Sequence, residues 1–125
     1  MEKHLQTSRS SAEKNQIAYI AGLFDGEGSV DYTQRWTKKH NGKKYFCYRI
    51  CCEIGMTDYA VLEWIHQTLG YGSFRGRKVP EGRKPQWRWG CVFRDSYKFA
   101  KEMLPYARVK YVKLKQIVDH YSEGT

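Results

Sequence analysis

The chain has 125 residues, a formal net charge of +9 and 15% aromatic residues, which is enough for one domain around a single modest core and excludes a disordered or low-complexity chain. No stretch approaches the ~20 apolar residues needed to cross a bilayer, and residues 1–16 contain no apolar leader segment. Cys47, Cys51, Cys52 and Cys91 lack Cys-x-x-Cys spacing and have no histidine nearby to complete a zinc set, so the expectation is an intracellular protein with reduced, packed thiols and no membrane partner.

In chain order, residues 1–11 read as a polar N-terminal arm and residues 12–25 as a helix capped by Ser10 or Ser11. Residues 28–36 alternate and read as a strand, and Asn41-Gly42 marks a hairpin turn. The returning strand, 45–54, sets Tyr48, Ile50, Cys52 and Ile54 on an apolar face, with Arg49, Cys51 and Glu53 on the other. Thr57 or Asp58 caps a second helix whose Val61, Leu62, Ile65 and Leu69 face the core, and Gly70 ends it. Residues 71–78 and 86–93 form a second hairpin across a loop rich in Pro, Gly and basic residues. Asp95 caps a helix that runs to Pro105, and a last helix at 106–121 turns Val109, Val112, Ile117 and Val118 inward. Residues 122–125 are left as a tail.

Basic residues fall in two runs. Arg35, Lys38, Lys39, Lys43, Lys44 and Arg49 occur with no acid between them; Arg75, Arg77, Lys78, Arg83, Lys84 and Arg88 occur with Glu81 alone. Both runs lie in hairpins and are interleaved with Tyr, Trp and Phe. Such runs suit a polyanion, because neutralised phosphates release counterions and supply sequence-independent affinity.

The most informative string is Ile20-Ala21-Gly22-Leu23-Phe24-Asp25-Gly26-Glu27-Gly28. Ala18 and Gly22, like Ala21 and Asp25, are one helical turn apart, so small side chains line a face that another helix could approach closely. Gly26 and Gly28 then break the helix, leaving Glu27 to project between them. A carboxylate is disfavoured at a helix C-terminus, and a bound cation would remove the conflict. A Gly-rich helix end with a surface glutamate accounts for residues 26–28 but not for the whole string.

This string resembles the signature of the LAGLIDADG homing endonucleases, with Ile20 for the first Leu, Phe24 for Ile, and Gly26-Glu27 for the Ala-Asp pair. The element order resembles the αββαββα core of that family over residues 12–121. The resemblance implies an α+β fold in which a curved antiparallel saddle lies along the major groove of double-stranded DNA. Alternation then names the outward side chains as Asp31, Thr33, Arg35, Arg49, Cys51 and Glu53 in the first hairpin, and Arg75, Arg77, Gln86 and Arg88 in the second. This assumes that Trp87 and Trp89 pack against the helices; a one-residue slip would exchange the two sets. Lys38, Lys39, Lys43, Lys44, Lys78, Arg83 and Lys84 are left for phosphates.

Family members set two signature helices side by side, each delivering one acidic residue. A chain with one copy is therefore expected to form a homodimer through Ala18, Ala21 and Gly22, and to recognise a palindromic or near-palindromic site. The resemblance implies Mg²⁺ (or Mn²⁺) held by Glu27 with help from the Gly26 carbonyl. Asp25 caps the helix pair or orients the partner helix. The stretch from Leu104-Pro105 to Lys110 resembles the one that opens the last helix in single-motif relatives, which makes Lys110 a second catalytic candidate and Arg108 a neighbour for an adjacent phosphate. Those relatives carry a Gln near the end of the second strand; here Glu53 takes that role or the role is vacant. The implied activity is hydrolysis of DNA phosphodiesters in the service of intron or intein mobility, in a microbial or phage-infected cytoplasm or in a chloroplast or mitochondrion. The alternatives are a non-cleaving binder of the same fold, an RNA splicing maturase or a DNA-binding regulator. An unrelated basic RNA-binding domain is disfavoured by the absence of an RNP-like string.

Overall fold

The computed structural model describes residues 9–122; residues 1–8 of the expected arm and 123–125 of the expected tail lie outside them. The elements run α1 (Ser11–Glu27), β1 (Gly28–Lys38), β2 (Lys44–Met56), α2 (Tyr59–Leu69), β3 (Ser73–Arg77), β4 (Gln86–Val92), α3 (Phe93–Met103) and α4 (Tyr111–Ser122). The strands form one antiparallel sheet in the order β1-β2-β4-β3. This is the α+β order expected from the sequence. Among the described residues no helix is long and apolar enough to cross a membrane.

Local chemistry accounts for most of the boundaries. Ser10 closes a full capping box with Glu13 at the start of α1. Asp58 accepts from the Val61 amide at the start of α2, and Gly70 ends that helix in the left-handed region at φ 82°. Gly28 is required for a different reason. A Cβ there would lie 2.2 Å from the Phe24 ring, so the chain can turn from α1 straight into β1 only without one.

The helices cover one face of the sheet. Ile50, Cys52 and Ile54 from β2 and Trp89 and Cys91 from β4 are buried against Ile17, Ile20, Ala21 and Phe24 of α1, Leu62, Ile65 and Leu69 of α2, Phe99 and Met103 of α3, and Leu114 and Ile117 of α4. The Phe99 ring meets Phe24 edge-on at 4.8 Å and Trp89 at 5.1 Å. Truncating any one of these rings to alanine would cost about 3–5 kcal/mol. The Trp89 indole donates to the Tyr71 carbonyl at 3.2 Å, and Trp87 packs edge-on against Tyr59 of α2. Both tryptophans thus face the helices, which settles the register: Arg75 stands opposite Arg88 and Arg77 opposite Gln86.

Several expectations need correction. Helix α1 does not break at Gly26 but continues through Glu27, and β1 starts at Gly28. Asp95 is not the cap of α3; that helix begins at Phe93, which has φ 49°, without a side-chain cap. The last helix begins at Tyr111, not 106. Its core face is therefore Leu114 and Ile117 with Val118 beside them, while Val109 and Val112 are 77% and 68% exposed. Within the expected arm, Arg9 is docked. It pairs with Glu102 and donates to the Thr68 and Leu69 carbonyls at 3.1 and 3.4 Å, where a cation complements the C-terminus of α2.

Candidate active site and nucleic-acid interface

The end of α1 carries two carboxylates with opposite fates. Asp25 turns inward, and its Oδ2 accepts from the Arg108 and Val109 amides at 2.7 and 3.2 Å, its Oδ1 from the Lys110 amide at 3.1 Å. These three amides immediately precede α4, so Asp25 fills the anion site that a helix N-terminus presents. Desolvation works to raise its pKa, but the bonds from Arg108, Lys110 and Val109 and the charge of Lys110 outweigh it and hold the carboxyl below its ordinary value. Asp25 therefore caps the approach to α4 of its own chain. The Lys110 ammonium donates to the Asp25 carbonyl at 2.7 Å and lies 5.8 Å from the centre of the Phe24 ring, where it offsets the negative end of the α1 dipole. Lys110 is thus brought to the end of α1, from the turn before α4 rather than from within a helix.

Glu27 is exposed and directly precedes β1. Gly22 and Gly26 meet nothing within 4 Å of where a Cβ would stand. Ala18, Tyr19, Gly22 and Leu23 line a shallow groove of about 300 Å³. Ala21 does not belong to this surface, since it is 1% exposed and packs into its own core. The open stripe is instead Ala18, Gly22 and Gly26, which counting by fours from Ala18 would have revealed.

On the sheet, the register puts Ser29, Asp31, Thr33, Arg35 and Thr37 of β1 opposite Glu53, Cys51, Arg49, Cys47 and Tyr45 of β2. This parity alternates with the buried one, so these side chains stand on the face the helices leave uncovered, together with Gln86, Arg88 and Arg75.

No protein-family model matches the sequence, and no curated protein matches it. Solved structures do. The homing endonuclease I-CvuI, in complex with its target in the presence of 2 mM calcium, superposes with a TM-score of 0.72 at 18% identity, over 91% of this chain and 70% of that one. The archaeal intron-encoded homing endonuclease I-Vdi141I, complexed with DNA, gives 0.65 at 18% identity over 90% and 69%. The LAGLIDADG meganuclease I-CpaMI, bound to uncleaved DNA, gives 0.63 at 16% identity over 86% of this chain and 37% of that one.

The chain has the LAGLIDADG homing endonuclease fold.

In this LAGLIDADG fold the open sheet face is an ordered array rather than a field of free cations. Asp31 accepts from Arg49 at 2.7 Å and from the Thr33 hydroxyl at 2.9 Å, and it holds the Arg49 guanidinium more firmly charged. Glu53 accepts from Arg88 at 3.3 Å. That contact offsets the repulsion between Arg88 and Arg75 directly across from it. Burial raises the Cys51 thiol above its ordinary value, against the charge of Arg49, so at neutral pH it reads as an uncharged contact. Arg35 is exposed without such an acid beside it in the register. Lys39 and Lys43 sit at the first turn, with Lys39 over the Tyr45 ring, and Lys78, Arg83 and Lys84 are exposed in the second loop. Lys38 and Lys44, two of the lysines expected to meet phosphates, pair with each other on the opposite parity, away from this array.

The donors at this end of α1 make up only part of a metal's ligand set. Among the described residues no cluster of three or more His, Cys, Asp or Glu could hold an ion. One exposed carboxylate with the Gly26 carbonyl beside it is a hard-oxygen half-site, of the kind that Mg²⁺ completes with waters and phosphate oxygens.

Proposed function

We propose that the chain is a site-specific double-stranded DNA homing endonuclease, working as a homodimer on a long palindromic or near-palindromic site. The observation that carries the proposal is the contrast at the end of α1: Asp25 is fully engaged in holding the fold together, while Glu27, two residues on, is left exposed. The charge of the chain, the guanidinium-rich sheet face and the homing-endonuclease fold support the same reading.

Two copies meeting along Ala18, Gly22 and Gly26 bring two Glu27 carboxylates to one axis, and two open sheet faces onto successive parts of one duplex. Arg75, Arg77 and Arg88 suit bidentate pairing to guanine, and Asp31, Thr33, Arg35, Arg49, Cys51, Glu53 and Gln86 complete the reading set. Lys39, Lys43, Lys78, Arg83 and Lys84 meet phosphates at the rims of the groove. Glu27 and the Gly26 carbonyl of each copy would hold Mg²⁺ or Mn²⁺, which supplies a nucleophilic water and charge stabilisation at the phosphorus. Lys110 sets a fixed positive charge at that corner, and Arg108 on the same turn holds an adjacent phosphate. Hydrolysis breaks one P–O bond of the backbone, the entering water supplies the new oxygen, and its proton passes to the departing oxygen through solvent.

The test is to incubate the protein with a randomised duplex library in Mg²⁺ and sequence the ends. A long, approximately twofold-symmetric consensus at the cut supports the proposal. Symmetric enrichment of bound duplexes with no ends produced in Mg²⁺ or Mn²⁺ moves the chain to a non-cleaving DNA regulator.

A further inference from the structure

The hairpin of β1 and β2 outruns the helices that cover its back face. Going outward on that face, the paired rungs are Val30/Cys52, Tyr32/Ile50, Gln34/Tyr48, Trp36/Phe46 and Lys38/Lys44. Helix α4 reaches the third rung, where His120 packs edge-on against Tyr48 at 4.4 Å and Gln34 donates to the Tyr48 hydroxyl. Beyond it, Trp36 is 67% exposed and Phe46 49% exposed, their ring centres 5.1 Å apart. Among the described residues, two large aromatics thus lie largely exposed between a wall of Tyr48 and His120 and a rung of two lysines. Residues 32–52 contain no acid.

We infer that this rung is a stacking site for an unpaired base of single-stranded nucleic acid, with Lys38 and Lys44 taking the flanking phosphates. Exposed rings flanked by cations are what a base plane and its backbone require together, and stacking tolerates any base because each has a π-face. A duplex does not fit the site, because its bases offer no open plane without being splayed out. A second copy of the chain does not fit either, since face-to-face contact would set Lys38 and Lys44 of one copy against the same two lysines of the other. The site lies on the parity opposite to the array of Arg35, Arg49 and Asp31, so it does not depend on the endonuclease reading.

The experiment measures fluorescence anisotropy of labelled twelve-nucleotide oligouridylate and oligothymidylate, and of a mixed-sequence duplex, with the full chain in EDTA. Trp36→Ala and Phe46→Ala should each weaken single-strand binding roughly tenfold and leave duplex binding within about twofold. Lys38→Gln and Lys44→Gln should each lower the slope of log affinity against log salt by about 0.7. Binding of oligonucleotide should quench tryptophan emission in the wild type. In Trp36→Phe that quench should vanish while most affinity remains. A preference for uridylate assigns the site to RNA and a preference for thymidylate to displaced DNA; both support it. Equal single-strand affinity of wild type and Trp36→Ala overturns the inference. So does an equal loss of duplex binding, or a change of oligomeric state on removing the ring.

Discussion

Two faces of one helix, α1, do opposite work. Inward, Ile17, Ile20, Ala21 and Phe24 are sealed into the core, and Asp25 ends the same face by gripping three amides ahead of α4. Outward, Gly22 and Gly26 meet nothing within 4 Å, and Glu27, the last residue of the helix, is exposed. The contrast teaches that the small residues of the signature string do not form one class. Ala21 is small because the core behind it is full, whereas Gly22 and Gly26 are small with no pressure from their own chain. A glycine in a helix interior costs about 0.5–1 kcal/mol relative to alanine, a cost that no close packing against Gly22 or Gly26 among the described residues accounts for.

The largest expected effect breaks the contrast at its outer end. Glu27→Gln should reduce cleavage by more than the roughly 100-fold that loss of an outer-sphere metal partner costs, with duplex affinity unchanged or higher. Gel-based cleavage and binding on one substrate would show both; full turnover by this variant removes Glu27 from the chemistry.

The two faces can next be set against each other with one side chain. Ala21→Leu overpacks the core and should lower stability by about 1–3 kcal/mol in denaturant unfolding. Gly22→Leu has open space in the monomer and should block association, read by sedimentation as a dimer in the wild type and a monomer in the variant. Aggregation or unfolding of the Gly22→Leu monomer would mean that the outer face is not open.

Removing the inner carboxylate should cost less. Asp25→Ala deletes a helix-capping group and should destabilise by about 1–2 kcal/mol. The pH dependence carries a definite sign. The pKa of Asp25 is lowered in the folded chain, so its contribution is fully present above its ordinary value of ~3.9 and is lost as pH falls through the lowered folded value. Wild type and Asp25→Ala should therefore differ most at neutral pH and converge in strong acid. A gap that persists at low pH would show that Asp25 acts through packing, not charge.

The smallest effect has an unusual direction. Gly26→Ala, on the outer face, should raise thermal stability by an amount worth about 0.5–1 kcal/mol, through helix propensity alone. Calorimetry at a concentration where the chain is monomeric would measure it, and a loss of stability there would place an unseen contact at Gly26.

Much of this was readable in advance because it is local. Ser10 with Glu13 announces a helix start, Gly70 a helix stop, and Asn41-Gly42 a hairpin turn; the alternation around Ile50, Cys52 and Ile54 names the buried face. The misreadings occurred where a distant group decides. Val109 and Val112 match a helical core pattern, yet Asp25, more than eighty residues earlier in the chain, takes the amides of residues 108–110 ahead of α4, and both valines are exposed. Arg9 reads as part of a polar arm until Glu102 and the end of α2 are placed beside it. Lys38 and Lys44 read as two more cations in a basic run, and only strand pairing shows that they share the back face with Trp36 and Phe46.

By itself, then, the sequence determined the order of elements, the hydrophobic faces, the basic hairpins and the string that carries Glu27, because propensity, alternation and capping act over a few residues. Tertiary structure alone decided which of the two carboxylates at the end of α1 is consumed by the fold, which small residues remain open, and which lysines share a face with bare aromatics. Those outcomes depend on which groups meet across the chain. Burial and hydrogen-bond partnership belong to that meeting rather than to any residue.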